Sequence, residues 1–337
     1  MSSGLRNGPL GPEPGSRGRS GRSSRRGQGT LRQQEARVGL GLMSPALIVV
    51  IVIVVLPIAW TILLAFQRVR LINIRRAGLF GDYTLGNIAD VFTSSGFLRS
   101  LLTTLIYSVC GTGLSIAIGL IAALALRRQF RGRTLVRALM LLPYVAPVVA
   151  VTFVWQTMLS PQFGIVNHWG TRLLGWDDPI AFLSQRTSSV SFLGLEIDVP
   201  TALLTVIVFE AWRYFPFAFL FLTARLQALP GDVEEAALID GATPLQRFRF
   251  VILPQLMPVV ALLAVLRFIW TFNEFDDIYL LTGGGAGTEV VSVRVFNFLT
   301  ARGDIGVASA QALVLAFVLI CLITVYLRRF AGKVEGA

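Results

Sequence analysis

Six stretches of 20 or more mostly apolar residues dominate this chain, and a soluble fold has no room for them. They run from Leu40 to Phe66, Leu98 to Leu126, Leu135 to Leu159, Ala202 to Leu226, Met257 to Leu281 and Gly306 to Leu327. A bilayer's hydrocarbon core is about 30 Å thick, and a helix needs about 20 apolar residues to cross it. Backbone groups in lipid have no water to bond, so each span must satisfy its own by being helical. The runs therefore predict an all-α integral membrane protein with about six transmembrane helices. Composition agrees: 54% of the 337 residues are hydrophobic and 15% are charged, too few polar residues to clothe a soluble domain of this size.

The formal net charge of +11 lies outside these runs. Much of it sits in residues 1–37, which carry Arg6, Arg17, Arg19, Arg22, Arg25, Arg26, Arg32 and Arg37 among Gly and Ser. That composition cannot bury enough surface to fold, so a disordered tail is expected over 1–37 and a transmembrane domain over 38–337. Such a tail helps orient the first span, and contact with anionic lipid headgroups or nucleic acid is its other reading. No nucleic-acid partner is expected for the chain as a whole.

Basic residues in short loops set topology. Arg127, Arg128, Arg131, Arg133 and Arg137 crowd the second connection, and Arg328, Arg329 and Lys333 follow the last span. The connection after the third span instead carries Asp177, Asp178, Glu196 and Asp198. Both termini are thus expected in the cytoplasm, against one dissenting group, Arg68, Arg70, Arg75 and Arg76. Cys110 and Cys321 fall within apolar runs and suggest neither a disulfide nor a metal site.

The sharpest local signal lies in residues 228–254. Leu229-Pro230-Gly231 breaks the fourth span, and Asp232 stands three residues before Glu235, the pattern of an N-cap with its reciprocal acid. A short helix is expected from Val233 to Asp240, with Gly241 closing it in the left-handed region. Thr243-Pro244 then reads as a second cap with proline at the first helical position. This second helix is expected to stop before Pro254. Physics alone gives a helix–turn–helix elbow at the membrane surface, with or without a partner.

Glu235-Ala236-Ala237, three residues, Gly241, nine residues and Val251-Ile252-Leu253-Pro254 resemble the signature loop of ATP-binding-cassette importer permeases. That pattern reads E-A-A, three residues, G, nine residues, then I-x-L-P, and Val251 for isoleucine is the one departure. Leu142-Pro143-Tyr144, Pro147, Trp155, Gly164 and Asn167 are similar to the third-helix pattern of carbohydrate permeases of the maltose and trehalose type. Trp212, Pro216, Phe217, Leu226, Gln227, Pro230 and the run Phe272 to Gly285 extend that likeness, while Arg225 stands where many relatives have glycine.

The resemblance implies a type I importer permease in the bacterial inner membrane, with Glu235, Ala236, Ala237, Gly241, Leu253 and Pro254 coupling it to a cytoplasmic ATPase. It implies as partners a second permease subunit, two ATPase subunits and an extracellular or lipid-anchored solute-binding protein, all among membrane lipid. ATP and magnesium would belong to the ATPase subunits. This chain has no G-x-x-x-x-G-K-[S/T] and a single lysine, Lys333, so no cofactor is expected in it.

For the substrate pathway, Arg267, Trp270, Glu274 and Asp277 fall at spacings of three, four and three, one face of the fifth helix. Ionisable groups in a span are costly and face a bundle interior or a wet cavity. They are candidates for binding sugar hydroxyls, with Asn273 nearby and pairing to neighbouring helices as the structural alternative. Glu210 and Arg213 are three apart and expected to pair with each other. Solitary His168 suggests no metal. The competing substrate is a polyol phosphate such as glycerol 3-phosphate, with Arg267 as anion partner. An ion-coupled carrier leaves the elbow unused, and an intramembrane enzyme lacks H-E-x-x-H, G-x-S-x-G and any histidine in a span.

Overall fold

A computed structural model describes residues 38–334, apart from 40, 174, 193 and 194. The expected tail over 1–37 lies outside the described residues. The chain divides between Ala59 and Trp60 into two units. In the first, the described residues form the leading part of a helix, α1, which runs over Gly41–Ala65. Every other element belongs to the second unit.

After α1 come a 3-10 turn at Leu71–Arg76, α2 (Gly86–Thr93) and α3 (Ser95–Ala125). Next follow α4 (Arg133–Val145), α5 (Val148–Met158), α6 (Ile165–Leu173), β1 (Ser188–Phe192) and β2 (Leu195–Val199). The remainder is α7 (Thr201–Gln227), α8 (Gly231–Ile239), α9 (Pro244–Phe272), α10 (Asp276–Thr282), α11 (Val291–Thr300) and α12 (Ile305–Val334). Five of these helices are long and apolar enough to span a membrane, and the bent pair α4–α5 makes up to six.

Four features differ from a chain of six unbroken helical spans. The third span is two helices meeting at 97°. Pro147 forces Ala146 into extended backbone (φ −67°, ψ 141°), which no helix can continue through. The fifth span begins at Pro244 rather than near 257, so Pro254 does not end a separate second helix. A widened π turn at Phe248–Ile252 resets the register, and Pro254 then falls in the first turn after it, where its missing N–H costs little. The fifth helix also stops early, at Phe272, because Asn273 (φ −99°, ψ 6°) and Phe275 (φ −126°, ψ −51°) leave helical geometry. Finally, the connection before α7 holds an antiparallel hairpin, paired from Ser188 with Val199 to Phe192 with Leu195. Its alternating apolar and polar letters fit a strand period that the all-α expectation passed over.

The core of the second unit is the packing of α3 on α7 and α9. Helix association in lipid depends on close approach rather than on the hydrophobic effect, so small residues line the seam. Ser108, Gly111, Thr112, Ser115 and Gly119 are all buried on α3. A Cβ at Gly119 would stand 2.7 Å from that of Ala218 and 2.8 Å from the Phe219 backbone nitrogen. The Ser108 and Ser115 hydroxyls bond within their own helix, to the Thr104 and Thr112 carbonyls at 2.6 and 2.9 Å. Phe215, Phe219, Leu222, Leu256 and Leu263 fill the space beside it. A second apolar group joins α3, α11 and α12 through Phe97, Phe272, Val291, Ala310 and Val314.

Candidate functional site

Two polar regions stand at opposite ends of α9: the elbow that leads into it and a charge cluster where it ends. The elbow begins at Pro230, whose extended backbone (φ −61°, ψ 127°) caps α8. Asp232 is therefore not the N-cap the sequence suggested. It lies inside the first turn with Glu234, where both acids complement the positive end of the helix. Cap chemistry failed as a guide here because Gly231 enters the helix directly after the proline.

The other end of α8 matches the sequence reading closely. Gly241 sits at φ +76°, in the left-handed region that costs a β-carbon-bearing residue about 1–2 kcal/mol. Its N–H donates to the Leu238 carbonyl at 3.1 Å, and the Ala242 N–H donates to the Ala237 carbonyl at 3.0 Å. These two bonds form a Schellman closure, satisfying carbonyls the helix would otherwise leave bare. Thr243 then caps α9: the Gln246 side chain accepts from the Thr243 N–H at 2.8 Å, and Thr243 Oγ1 accepts from the Gln246 N–H at 3.4 Å. Thus α8 is held by its own neighbours, and none of its residues is buried. Glu235 and Ala236 are exposed and Ala237 half-buried. Leu238 and Ile239 are exposed apolar residues beside them. Leu253 is half-buried and Pro254 exposed, on the α9 side of the turn.

Two ties fix the elbow to the helices around it. Arg225, near the end of α7, donates from Nε to the Gln255 carbonyl of α9 at 3.2 Å. Arg127, just past α3, pairs with Glu234 of α8 at 2.5 Å. The neighbouring Arg133 and Arg137 donate to the Leu126 carbonyl at 2.8 and 3.2 Å, covering the end of α3.

At the far end of α9 the structure brings charges together across helices. Arg267, fully buried, pairs with Glu210 of α7. Thr271 Oγ1 donates to the same carboxylate at 2.7 Å, and the Tyr107 hydroxyl of α3 donates to its other oxygen at 2.9 Å. A Cβ at Gly111 would stand 2.8 Å from Glu210 Cγ, so the glycine on α3 makes the space this carboxylate occupies. One helical turn further along α7, Arg213 pairs with Asp277, which is also fully buried. Glu210 and Arg213 therefore do not pair with each other, as their spacing suggested. Each is drawn instead to an opposite charge on another helix, Glu210 to α9 and Arg213 to α10, where the low dielectric makes that attraction strongest.

Arg267 and Asp277 thus belong to one cluster although Asp277 lies on α10, not on the same helix. Glu274 stands in the break between them, half-buried. It accepts the Asp277 N–H at 3.4 Å and the Tyr214 hydroxyl at 3.5 Å. Carboxylate oxygens of Glu210, Glu274 and Asp277 lie within 4.8 Å of one another. Trp270 is half exposed, its ring 5.2 Å from that of Phe217. Tyr144 of α4 stands 6.1 Å from Tyr214 and 6.0 Å from Phe217, so rings from α4, α7 and α9 gather beside the charges. The Arg267 guanidinium lies over the Tyr214 ring at 3.9 Å. Asn273 turns away: it is exposed and caps its own helix by donating to the Ile269 carbonyl at 2.8 Å. His168 is on α6, beside Trp169.

The sequence reading missed Tyr107, Tyr214 and Thr271 as members of this cluster. Tyr107 is buried in a run of apolar and hydroxyl residues, and nothing local marks it. Tyr214 stands next to Arg213 and could have been suspected from the crowding of polar letters in an apolar run.

Residues 115–333 match the family model described as the inner membrane component of binding-protein-dependent transport systems. The chain belongs to this family. It is 35% identical over 301 residues to the trehalose/maltose transport system permease protein MalF of Thermococcus litoralis, covering 88% of this chain and 95% of that one. It is 32% identical over 261 residues to the sn-glycerol-3-phosphate transport system permease protein UgpA of Agrobacterium fabrum, covering 76% and 83%. A bacterial alginate ABC transporter, crystallised with an alginate pentasaccharide-bound periplasmic protein, has the same fold: TM-score 0.70 over 87% of this chain and 93% of that one, at 21% identity. The permease is an inner-membrane ABC importer component, and the family match takes in the elbow and, apart from Tyr107, the charge cluster.

Proposed function

We propose that this permease forms half of the transmembrane pathway for a saccharide handed over by an extracellular binding protein. Transport is then powered through α8 by an ATPase subunit on the cytoplasmic side. In this reading both termini are cytoplasmic, a second permease subunit completes the pathway, and two ATPase subunits bind ATP and magnesium. The permease itself carries no catalytic residue.

One observation carries the reading. The exposed, doubly capped α8 joins the ends of α7 and α9, and the same two helices are bolted together by Glu210 and Arg267 at the cluster. A displacement of α8 therefore passes along α7 and α9 to the place where Trp270, Glu274 and Asp277 gather. Rigid helices transmit rigid-body motion with little loss. Exposed Leu238 and Ile239 favour a protein partner over a bare hairpin, since apolar patches of this kind mark contact surfaces. Glu235, Ala236, Ala237 and Gly241 are the contact residues of this proposal, and Leu253 and Pro254 carry the turn into the span. The trehalose/maltose relative supports a sugar as cargo.

Cysteines at Ala236 and Ala237 test the first half: each should crosslink to an ATPase subunit, with a yield that changes when ATP binds. Absence of any such crosslink in the assembled transporter would remove α8 from the coupling role. Alanine at Trp270 and at Glu274 tests the second half. Uptake should weaken while assembly persists, whereas unchanged kinetics would assign both side chains to structure.

A further inference from the structure

We infer that the cluster at the end of α9 selects a saccharide without negative charge, and that Glu274 makes the selection. This deepens the pathway reading above and rests on it. The ground is a charge inventory that only the fold reveals. Three carboxylates gather within 4.8 Å, those of Glu210, Glu274 and Asp277, and two guanidiniums meet them. Arg267 is committed to Glu210, and that carboxylate is held by Thr271 and Tyr107 as well. Arg213 is committed to Asp277, which is fully buried. Each guanidinium thus already faces a carboxylate, and with Glu274 the carboxylates outnumber the guanidiniums three to two. An anion arriving here would add to a cluster whose carboxylates already exceed its cations, and that repulsion is strong where water is scarce.

Glu274 is the carboxylate left over. Among the described residues it forms no ion pair, and its two bonds, at 3.4 and 3.5 Å, are long. An ionised carboxylate offers about four acceptor positions, so two long bonds leave part of its capacity unused. Asp276, exposed just beyond it, adds a further negative charge. A ligand arriving here meets an acceptor that suits sugar hydroxyls or an ammonium group and repels an anion. The apolar element of such a ligand has its own surface, because the Trp270 and Tyr144 rings are partly open beside the cluster. Arg267, the residue that would suit glycerol 3-phosphate in the sequence, has its charge balanced by Glu210 before any ligand arrives. Nor does kinship of fold with a transporter of an acidic polysaccharide extend to charge preference.

Uptake by the whole transporter, with its partner subunits and binding protein in proteoliposomes, tests the inference. The probes are maltose, the disaccharide of glucosamine, glycerol 3-phosphate and a mannuronate disaccharide. Wild-type uptake of maltose or of the glucosamine disaccharide should exceed that of either anion by at least about tenfold. Glu274→Gln should raise the KM of the preferred probe about tenfold, the loss of a hydrogen bond to a charged group, with the maximal rate little changed. Preference for maltose identifies hydroxyl recognition, and preference for the amine identifies ammonium recognition; either supports the inference. Preferred uptake of an anion overturns it, and if KM still responds to Glu274→Gln, the pathway reading survives that failure. A KM indifferent to the substitution removes Glu274 from the pathway. Uptake of none of the four, with ATP hydrolysis intact, sinks the saccharide reading and this inference with it.

Discussion

The elbow and the charge cluster are both polar, both attached to α9, and built on opposite principles. Contacts in the elbow span a few residues: Gly241 to Leu238, Ala242 to Ala237, Thr243 to Gln246. Those of the cluster span about half the transmembrane part of the chain, from Tyr107 to Glu210 and from Glu210 to Arg267. The elbow is exposed and must keep its shape without a core, so backbone closure and caps hold it. The cluster's core is buried and must keep charges in place where water cannot help. Its fully buried charges, Arg267, Glu210 and Asp277, each have a counterpart among the described residues, and half-buried Glu274 alone does not. On the function proposed above, the elbow docks on a partner and is self-contained, while the cluster faces the pathway and is tied across helices. This contrast makes opposite demands on mutation.

The largest effect should come from breaking the cluster on one side only. Arg267→Ala strands Glu210 in the α3–α7 seam, and removing one partner of a buried pair costs about 3–5 kcal/mol. The purified protein's thermal midpoint should fall sharply. Glu210→Gln combined with Arg267→Met removes both charges and should recover much of that loss. If the double variant proves as unstable as the single one, the pair is not what holds α7 to α9.

The elbow should respond in function rather than stability. Gly241→Val places a β-branched residue at φ +76°, a strain of about 1–2 kcal/mol that α8 relieves by unwinding its last turn. The spans should insert and unfold as before, while ATP hydrolysed per solute carried rises several-fold. Uptake and hydrolysis that stay in their wild-type ratio would show that the closure at Gly241 is not part of the lever. Thr243→Ala is a milder version, losing a cap worth about 1 kcal/mol at the start of α9. It should loosen amide-exchange protection in the first turn after Thr243 and leave the cluster's protection unchanged. Equal loosening at both ends would mean that α9 responds as one piece to a local cap.

What could be read from the sequence follows the same division. Four of the six runs each predicted one helix to within a few residues at most ends, because apolar length is a local property that the bilayer enforces. The glycine closure and the Thr243 cap were legible because each is written within six residues. Asp232 misled because an acid three residues before a glutamate is equally at home as a cap or inside a first turn. Arg267, Glu274 and Asp277 were found as candidates because charge in an apolar run is conspicuous. Their partners were not found. Spacing along one helix suggested that Glu210 would choose Arg213, whereas packing offered it Arg267 across an interface no single helix encodes. The two breaks, at Ala146-Pro147 and after Phe272, differ in the same way. Proline announces the first, while the second lies in an unremarkable Asn-Glu-Phe and is held by Tyr214, Ser292 and Asp277 from elsewhere in the chain.

The smallest effect expected is at the one contact where the two designs meet, a long-range charge pair on the self-contained elbow. Arg127 and Glu234 lie 2.5 Å apart with their side chains 33% and 19% exposed, so solvent screens much of their attraction. Pairs of this kind are worth about 0.2–1 kcal/mol. Arg127→Glu should leave thermal stability almost unchanged, yet it removes the tie that fixes α8 against the end of α3 and sets two acids side by side. The expected result is a modest rise in ATP hydrolysed per solute carried, reversed when Glu234→Arg is added to restore the pair with its charges exchanged. Rescue by the swap would show that orientation of α8, and not the identity of either residue, is what the contact supplies. A defect that persists in the swap would place Arg127 against the ATPase partner instead. No defect at all would leave α8 held by its caps alone, drawing the line between the two regions more sharply still.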